Sequence, residues 1–211
     1  MSRCVIVSAG EIHDYARARS FIDGDDFFIF CDGGLLHAEG LGVEPSLIVG
    51  DFDSCDSDLL AKWNGSCQLV RLPREKDDTD TLFAVKLALE KGFDDFLLLG
   101  AMGGRFDHAL GNVSILLYLD GLGKKALLID DYSEMQIAAG KPLLIEDKYS
   151  YFSVLTVAGD VRGVNIKNAK YPLENASLSA DFQLGISNEV LPGKVAEVCV
   201  EFGRVLVVKV K

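Results

Sequence analysis

The side chains best able to do polar chemistry gather in four short stretches, each directly after a short apolar run. Asp32-Gly33-Gly34 follows Phe27–Cys31, and Gly50-Asp51-Phe52-Asp53-Ser54 follows Leu47–Val49. Glu75-Lys76-Asp77-Asp78-Thr79-Asp80 follows Gln68–Leu72, and a glycine-rich segment from Gly100 through Gly103-Gly104-Arg105-Phe106-Asp107-His108 follows Phe96–Leu99. Asp51 and Asp53 are two apart, so in an extended segment they point the same way and can share one hard cation. The same residues equally suit a turn with Asx and Ser caps before a helix near Ser57–Asn64. Glu75–Asp80 packs four acids and one lysine into six residues. Three of those acids (Asp77, Asp78 and Asp80) fall at the start of a strong helix, where the helix dipole accounts for some of them without any ligand. Two acid clusters at neighbouring strand ends repel one another unless a metal sits between them. Mg²⁺ takes a few carboxylates together with phosphate oxygens and water, so a nucleotide–Mg²⁺ complex fits. In the glycine-rich segment the backbone can come close to phosphate, with a helix N-terminus and Arg105 supplying positive potential. A flexible loop capped by Asp107 is the plainer alternative. Lys76 and Arg105 are the natural phosphate clamps, and His108 reads as a structural histidine.

These stretches need a scaffold that brings strand ends to one edge. Cys4–Val7, Phe27–Cys31, Leu47–Val49, Gln68–Leu72, Phe96–Leu99 and Ala126–Ile129 are short, apolar and bounded by Gly, Asp or Pro, as buried parallel strands are. Between them, Thr79–Lys91 predicts a helix with Leu82, Val85 and Leu89 on one face, ended by Gly92. Phe106–Tyr118 predicts another, with Leu110, Val113 and Leu117 in register. Strands alternating with helices imply a parallel sheet with right-handed crossovers, whose carboxyl ends collect functional groups. From about Ser133 the texture changes to β-type runs: Met135–Ala138, Leu143–Ile145, Tyr151–Val157, Val161–Ile166, Val195–Phe202 and Val205–Val210, punctuated by turns. The expected fold is therefore α/β: an N-terminal parallel α/β (Rossmann-like) domain over residues 1–132, then a small all-β sandwich domain over 133–211. In the second domain Gly185-Ile186-Ser187-Asn188-Glu189 stands out, since Ser and Asn hydrogen-bond well to a neutral heteroaromatic, although taken alone the segment reads as a turn.

Bulk properties narrow the function. With 211 residues, 49% hydrophobic and 25% charged, the chain has an ordinary globular composition. Lys+Arg number 21 against 32 Asp+Glu, a net charge of −11, which argues against nucleic acid or an anionic membrane as partner. It suits a cationic ligand, or a phosphate ligand whose charge is met by metal. No uncharged stretch approaches the ~20 residues of a membrane helix. The five cysteines are scattered and never in CxxC spacing, the pattern of reduced thiols, so the cytoplasm is the expected compartment. No GxxxxGK[ST] is present, nor GxGxxG after the first strand, HExxH or GxSxG.

Taken in order, Cys31-Asp32-Gly33-Gly34, Gly50-Asp51-Phe52-Asp53-Ser54, Lys76-Asp77-Asp78-Thr79-Asp80, Gly103-Gly104-Arg105-Phe106-Asp107-His108 and Ser187-Asn188-Glu189 resemble the motifs of the thiamine pyrophosphokinase family, across residues 31 to 189. The resemblance implies an N-terminal domain binding Mg·ATP and a C-terminal domain binding thiamine. It further implies a homodimer with active sites at the subunit interface, each built from one subunit's N domain and the other's C domain. The reaction would be ATP + thiamine → AMP + thiamine diphosphate. Carried over by motif, Asp51, Asp53 and Asp80 become metal ligands, and Asp51, Asp53, Asp77, Asp80 and Arg105 the catalytic set. Asp32, Gly33, Ser54, Lys76, Thr79, Arg105 and Asp107 fall to ATP, and Asp107, Ser187 and Asn188 to thiamine. Either Asp77 or Asp107 would take the hydroxyl proton. Where some family members place a tryptophan in the last strand, this chain has Leu206-Val207-Val208. A pyrophosphokinase for another heterocyclic alcohol, of pterin type, would keep the acid clusters and change the Ser187-Asn188 contacts. A non-catalytic nucleotide or thiamine sensor could lose a metal ligand, whereas every motif acid is present.

Overall fold

A computed structural model describes residues 3–52, 62, 63, 65, 67–73, 77–182 and 184–211. The fold is mixed α/β, and the chain divides into two compact units, Met1–Asp131 and Tyr132–Lys211.

In the first unit β1 (Cys4–Val7), β2 (Phe27–Cys31), β3 (Leu47–Gly50), β4 (Gln68–Arg71), β5 (Asp95–Leu99) and β6 (Lys125–Ile129) lie in the order β6-β5-β1-β2-β3-β4, every pair parallel. Cys4–Val7 and Phe96–Leu99 are wholly buried. That is why these strands read as unbroken apolar runs: a parallel sheet is covered on both faces. The chain builds outward from β1 through β4, then returns to place β5 on the other side of β1. The reversal between β1 and β5 opens a crevice at their carboxyl ends.

Helices α1 (Tyr15–Arg19) and α2 (Ala38–Leu41) are short, and a 3₁₀ turn covers Asp32–His37. The longer α3 (Asp80–Glu90) starts where Thr79 leaves the extended conformation and accepts a hydrogen bond at Oγ1 from the Leu82 amide, 3.2 Å. It buries Thr81, Ala84, Val85 and Ala88, so the predicted Leu82/Val85/Leu89 face is rotated: small side chains bring the helix close to the sheet, and the two leucines flank the contact. The same correction applies to α4 (Phe106–Gly121), which buries Ala109, Val113, Leu116 and Leu119 and leaves Leu110 54% exposed. Apolar residues surround this helix on several sides, so periodicity alone could not choose the buried one. The helix predicted near Ser57–Asn64 falls largely outside the described residues.

The second unit contains β7 (Ser133–Ala138), β8 (Leu143–Glu146), β9 (Tyr151–Thr156), β10 (Val161–Lys167), β11 (Leu173–Leu178), β12 (Gly185–Asn188), β13 (Val195–Cys199) and β14 (Val205–Val210). They pair antiparallel in the orders β12-β9-β14-β7 and β11-β10-β13-β8. Phe152, Val154, Val205 and Val207 from the first group share one core with Ile145, Val164, Ile166 and Val198 from the second. β11 and β12 were not expected as strands. Both end their sheets, and Leu173-Glu174-Asn175-Ala176-Ser177-Leu178 buries only its last residue, so neither carries a strong apolar period. The run predicted as Val195–Phe202 stops at Cys199, ahead of a bend at Gly203 with φ +93°. No helix among the described residues is long and apolar enough to cross a membrane.

Candidate active site

At the crevice, the loops after β1 and β5 are joined backbone to backbone. Ser8 N–H donates to the Leu99 carbonyl at 2.8 Å and Gly10 N–H to the Gly100 carbonyl at 2.7 Å. Gly100 has φ +58°, and a Cβ there would meet the Ser8 carbonyl oxygen at 2.3 Å, so only glycine lets the loops touch. Above them lies a cleft of about 540 Å³, bordered by the ends of β1, β2, β3 and β5 and the start of α3. That size suits a small-molecule site, which spans roughly 300–1,000 Å³.

Asp32, Asp51, Thr79, Asp80 and Arg105 line this cleft together, although they come from four different strand ends. Two residues beside the acids hold left-handed backbone without being glycine: Asp32 at φ +39° and Phe52 at φ +61°. Such conformations cost of order 1–3 kcal/mol and persist where surrounding structure enforces them, typically at functional sites. A Cβ on Gly50 would meet the Asp32 Cβ at 3.0 Å, so glycine at the end of β3 makes room for that carboxylate. Asp51 and Asp80 bring two carboxylates to one cavity, a donor set that fits Mg²⁺ completing its shell with phosphate and water. Among the described residues no group of three His, Cys, Asp or Glu forms a metal cage. Asp53, Ser54 and Lys76, also expected here, lie outside the described residues.

Other expected residues stand apart from the lining. Asp77 is exposed, Gly33 packs toward Ala9, and Asp107 faces Arg105. Nε of Arg105 donates to one Asp107 oxygen at 3.2 Å and Nη2 to the other at 2.6 Å. The pairing lowers the proton affinity of Asp107 and raises that of the guanidinium. Asp78 is taken up by an ion pair with Lys86 at 2.6 Å.

Four buried polar residues in or next to the site escaped the sequence reading. The Ser8 and Thr81 hydroxyls meet at 2.8 Å, tying β1 to α3. Asn112 Nδ2 donates to the Ala101 carbonyl at 2.6 Å, holding the glycine-rich loop to α4; a buried Asn inside an apolar helix was the available signal. His37 Nε2 bonds to the Gly10 carbonyl at 2.9 Å while its Nδ1 meets the Tyr15 hydroxyl at 2.8 Å. Burial pushes its proton affinity down. Cys31 also faces the cleft, but burial raises its thiol far above the ordinary value, so it is no nucleophile at neutral pH.

In the second unit, Ser187 and Asn188 belong to β12 and not to a turn. Between the pairs Gly185–Val154 and Asn188–Phe152 the register slips, and Ser187 takes φ +57° with its amide donating to Ser153 Oγ at 3.1 Å. The bulge explains the turn-like composition of the segment. Ser187 is exposed, whereas Asn188 is 3% exposed with its side chain bonded to the Tyr171 backbone.

The sequence model for "Thiamin pyrophosphokinase, catalytic domain" matches residues 18–128, and that for "Thiamin pyrophosphokinase, vitamin B1 binding domain" matches residues 143–206. Thiamine pyrophosphokinase of Bacillus subtilis (strain 168) is 29% identical over 189 residues, covering 88% of each chain. Thiamin pyrophosphokinase 1 of Caenorhabditis elegans is 26% identical over 192 residues, covering 85% of this chain and 77% of that protein. A crystal structure of thiamine pyrophosphokinase from Bacillus subtilis superposes with TM-score 0.88 at 26% identity, over 100% of this chain and 99% of the other.

Proposed function

The chain belongs to the thiamin pyrophosphokinase family, and we propose that its sheet-edge cleft binds ATP for transfer of a pyrophosphoryl group to thiamine. The activity is that of an ATP:thiamine diphosphotransferase, giving thiamine diphosphate and AMP. Neither a pterin-type substrate nor a non-catalytic sensor is favoured. The observation that carries the assignment of the site is the meeting of Asp32, Asp51, Asp80 and Arg105 in one cleft at the β1/β5 reversal.

On this reading the first unit is a Rossmann-like ATP domain and the second a β-sandwich thiamine domain. Two such units in each of two subunits would form interfacial sites in a homodimer. The exposed apolar side chains Phe182, Leu184 and Ile186 on and beside β12 support a partner surface there. In the reaction the thiamine hydroxyl oxygen attacks the β-phosphorus, the bond to the α–β bridging oxygen breaks, and AMP carries that oxygen away. The task of the protein is to align the two oxygens and meet the developing negative charge. Mg²⁺ held by Asp51, Asp80 and Asp53 would neutralise and orient the phosphates. Thr79 and the Gly103-Gly104 backbone offer hydrogen bonds at the α3 and α4 N-termini. Lys76 and Arg105 balance the remaining charge. The hydroxyl proton passes to Asp77 or Asp107; the Arg105 fork lowers the proton affinity of Asp107. An overall charge of −11 draws the thiazolium cation rather than repelling it.

The deciding experiment is incubation with Mg·ATP and thiamine, with AMP and thiamine diphosphate followed by chromatography. Formation of ADP and thiamine monophosphate instead would refute pyrophosphoryl transfer.

A further inference from the structure

The 3₁₀ turn Asp32–His37 begins at a cleft acid and ends beneath the loop that follows β1. Its fit against that loop is close. A Cβ on Gly34 would meet the Val7 carbonyl oxygen at 2.3 Å, and one on Gly33 would meet the Ala9 Cβ at 3.2 Å. The last residue of the turn, His37, is buried and bonded on both ring nitrogens, through Nε2 to the Gly10 carbonyl and through Nδ1 to the Tyr15 hydroxyl. A carbonyl can only accept, so Nε2 carries the hydrogen, and in the neutral ring Nδ1 accepts from Tyr15. Tyr15 is seated against Gly40, where a Cβ would stand 2.4 Å from the ring. The chain of donors thus runs one way, from hydroxyl to imidazole to the Gly10 peptide.

Gly10 is gripped equally closely on its other side. Its N–H donates to the Gly100 carbonyl at 2.7 Å, and a Cβ there would lie 2.4 Å from the Met102 carbonyl oxygen. A Cβ on Gly103 would meet the Gly10 Cα at 3.2 Å and the Glu11 nitrogen at 3.7 Å. The glycine-rich loop after β5 therefore rests directly on the Gly10–Glu11 peptide, and Gly10, Glu11, Gly103 and Gly104 all border the cleft. In a trans peptide the N–H points opposite to the C=O, so the bond to His37 turns the Glu11 N–H away from the imidazole. Among the described residues no acceptor takes that hydrogen, while the Glu11 carboxylate lies 3.4 Å from His13 Nε2.

We propose that His37 is a positioning residue for nucleotide binding: its bond to the Gly10 carbonyl locks the β1 loop under the glycine-rich loop and leaves the Glu11 N–H to a phosphate oxygen. Because Asp32 opens the same turn, one short rigid piece joins the acidic side of the cleft to its phosphate loop. The proposal rests on the ATP reading of the cleft given above.

The test measures Kd for Mg·ATP by equilibrium dialysis without thiamine, KM for each substrate, and hydrogen exchange over residues 8–12. His37→Leu fills the space and loses the donor. Kd and KM for ATP should rise about tenfold, KM for thiamine should stay within about twofold, and exchange over residues 8–12 should quicken. His37→Gln returns an N–H to the Gly10 carbonyl and should restore most of the ATP affinity. Tyr15→Phe keeps the ring against Gly40 and removes only the hydroxyl, for a smaller rise of about threefold. Unaltered ATP binding in His37→Leu overturns the proposal. So does an equal rise for both substrates, which is general loosening, or a Gln variant no better than Leu. Should His37→Leu fail to fold, Tyr15→Phe decides, and unaltered ATP affinity there overturns the proposal. The ATP reading itself is tested apart from these variants, since it fails if the unsubstituted protein retains no Mg·ATP in dialysis.

Discussion

Arg105 and Asp107 face each other across Phe106 as a two-bonded fork, with both side chains about two-thirds exposed (70% and 66%). An exposed pair of this kind contributes little to stability. Its geometry is informative nonetheless, because the guanidinium edge that fits a carboxylate also fits a phosphate. On the ATP reading, a nucleotide phosphate would compete with Asp107 for that edge of Arg105. Arg105→Ala is expected to lower kcat/KM for ATP by roughly tenfold to a hundredfold. The thermal midpoint should stay within about 2 °C. Arg105→Lys should recover only part of the loss, since an ammonium cannot fork. Equal activity of the Lys and Arg forms would remove the bidentate role.

Asp51→Asn and Asp80→Asn are each expected to abolish turnover while leaving circular dichroism and thermal midpoint close to those of the unsubstituted protein. Both carboxylates line one cleft and come from different elements, so on the Mg²⁺ reading each would supply a ligand that an amide cannot replace. The isosteric change removes a charge without changing shape, so the fold should lose little. Activity at limiting Mg²⁺ is the sensitive measurement. Near-normal turnover there in either variant would void the metal assignment.

Assembly can be tested by mixing. An Asp51→Asn subunit has an intact second unit, and a Ser187→Ala/Asn188→Ala subunit has an intact cleft. If sites form between subunits, their heterodimer regains one working site and some activity returns. Heterodimers that form, shown by native mass spectrometry, yet stay inactive would place each site within a single chain.

Gly100→Ala should destabilise the first unit strongly. Its φ of +58° strains any L side chain, and the new Cβ would stand 2.3 Å from the Ser8 carbonyl oxygen, a rigid backbone atom. Strain of this kind costs of order 1–3 kcal/mol before the overlap is counted. Urea unfolding provides the measure, and an unchanged midpoint would mean that the β1 and β5 loops separate easily.

The cleft was legible because buried parallel strands announce themselves as apolar runs, and the residues directly after each run must lie at one edge of the sheet. The predicted helix begins at Thr79, which in the structure is its N-cap, a hydroxyl residue directly before the first helical turn. Contacts across long sequence separations left no such trace. Ser8 meets Thr81 and Asn188 meets Tyr171 through single side chains whose types are common in turns. The bulge at Ser187 has the composition of a turn because left-handed backbone favours similar residues in both settings. Leu110 was placed on the wrong side of α4 because helix periodicity cannot rank faces that are nearly equally apolar.

His37 gives the stability a pH dependence of definite sign. It is buried beneath the β1 loop, where Nε2–H donates to the Gly10 carbonyl and Nδ1 accepts from the Tyr15 hydroxyl, a neutral tautomer satisfied on both nitrogens. Desolvation disfavours the imidazolium and holds the folded-state pKa below the ordinary 6.5, the hydrogen bond to Gly10 offsetting only part of this. In the unfolded chain the ring protonates near 6.5, so below that pH the unfolded state binds more protons than the folded one. Stability therefore rises with pH across this window: the contribution is intact above 6.5 and is lost as pH falls through the folded-state pKa. His37→Gln retains a donor and an acceptor but does not titrate. Urea midpoints measured from about pH 8 down to about pH 5 should fall less steeply for the Gln variant than for the unsubstituted protein. The two curves should converge in slope above 6.5, where neither residue carries charge. Parallel curves throughout would show that His37 takes up its proton as readily folded as unfolded, and that the clamp on Gly10 is too open to exclude water.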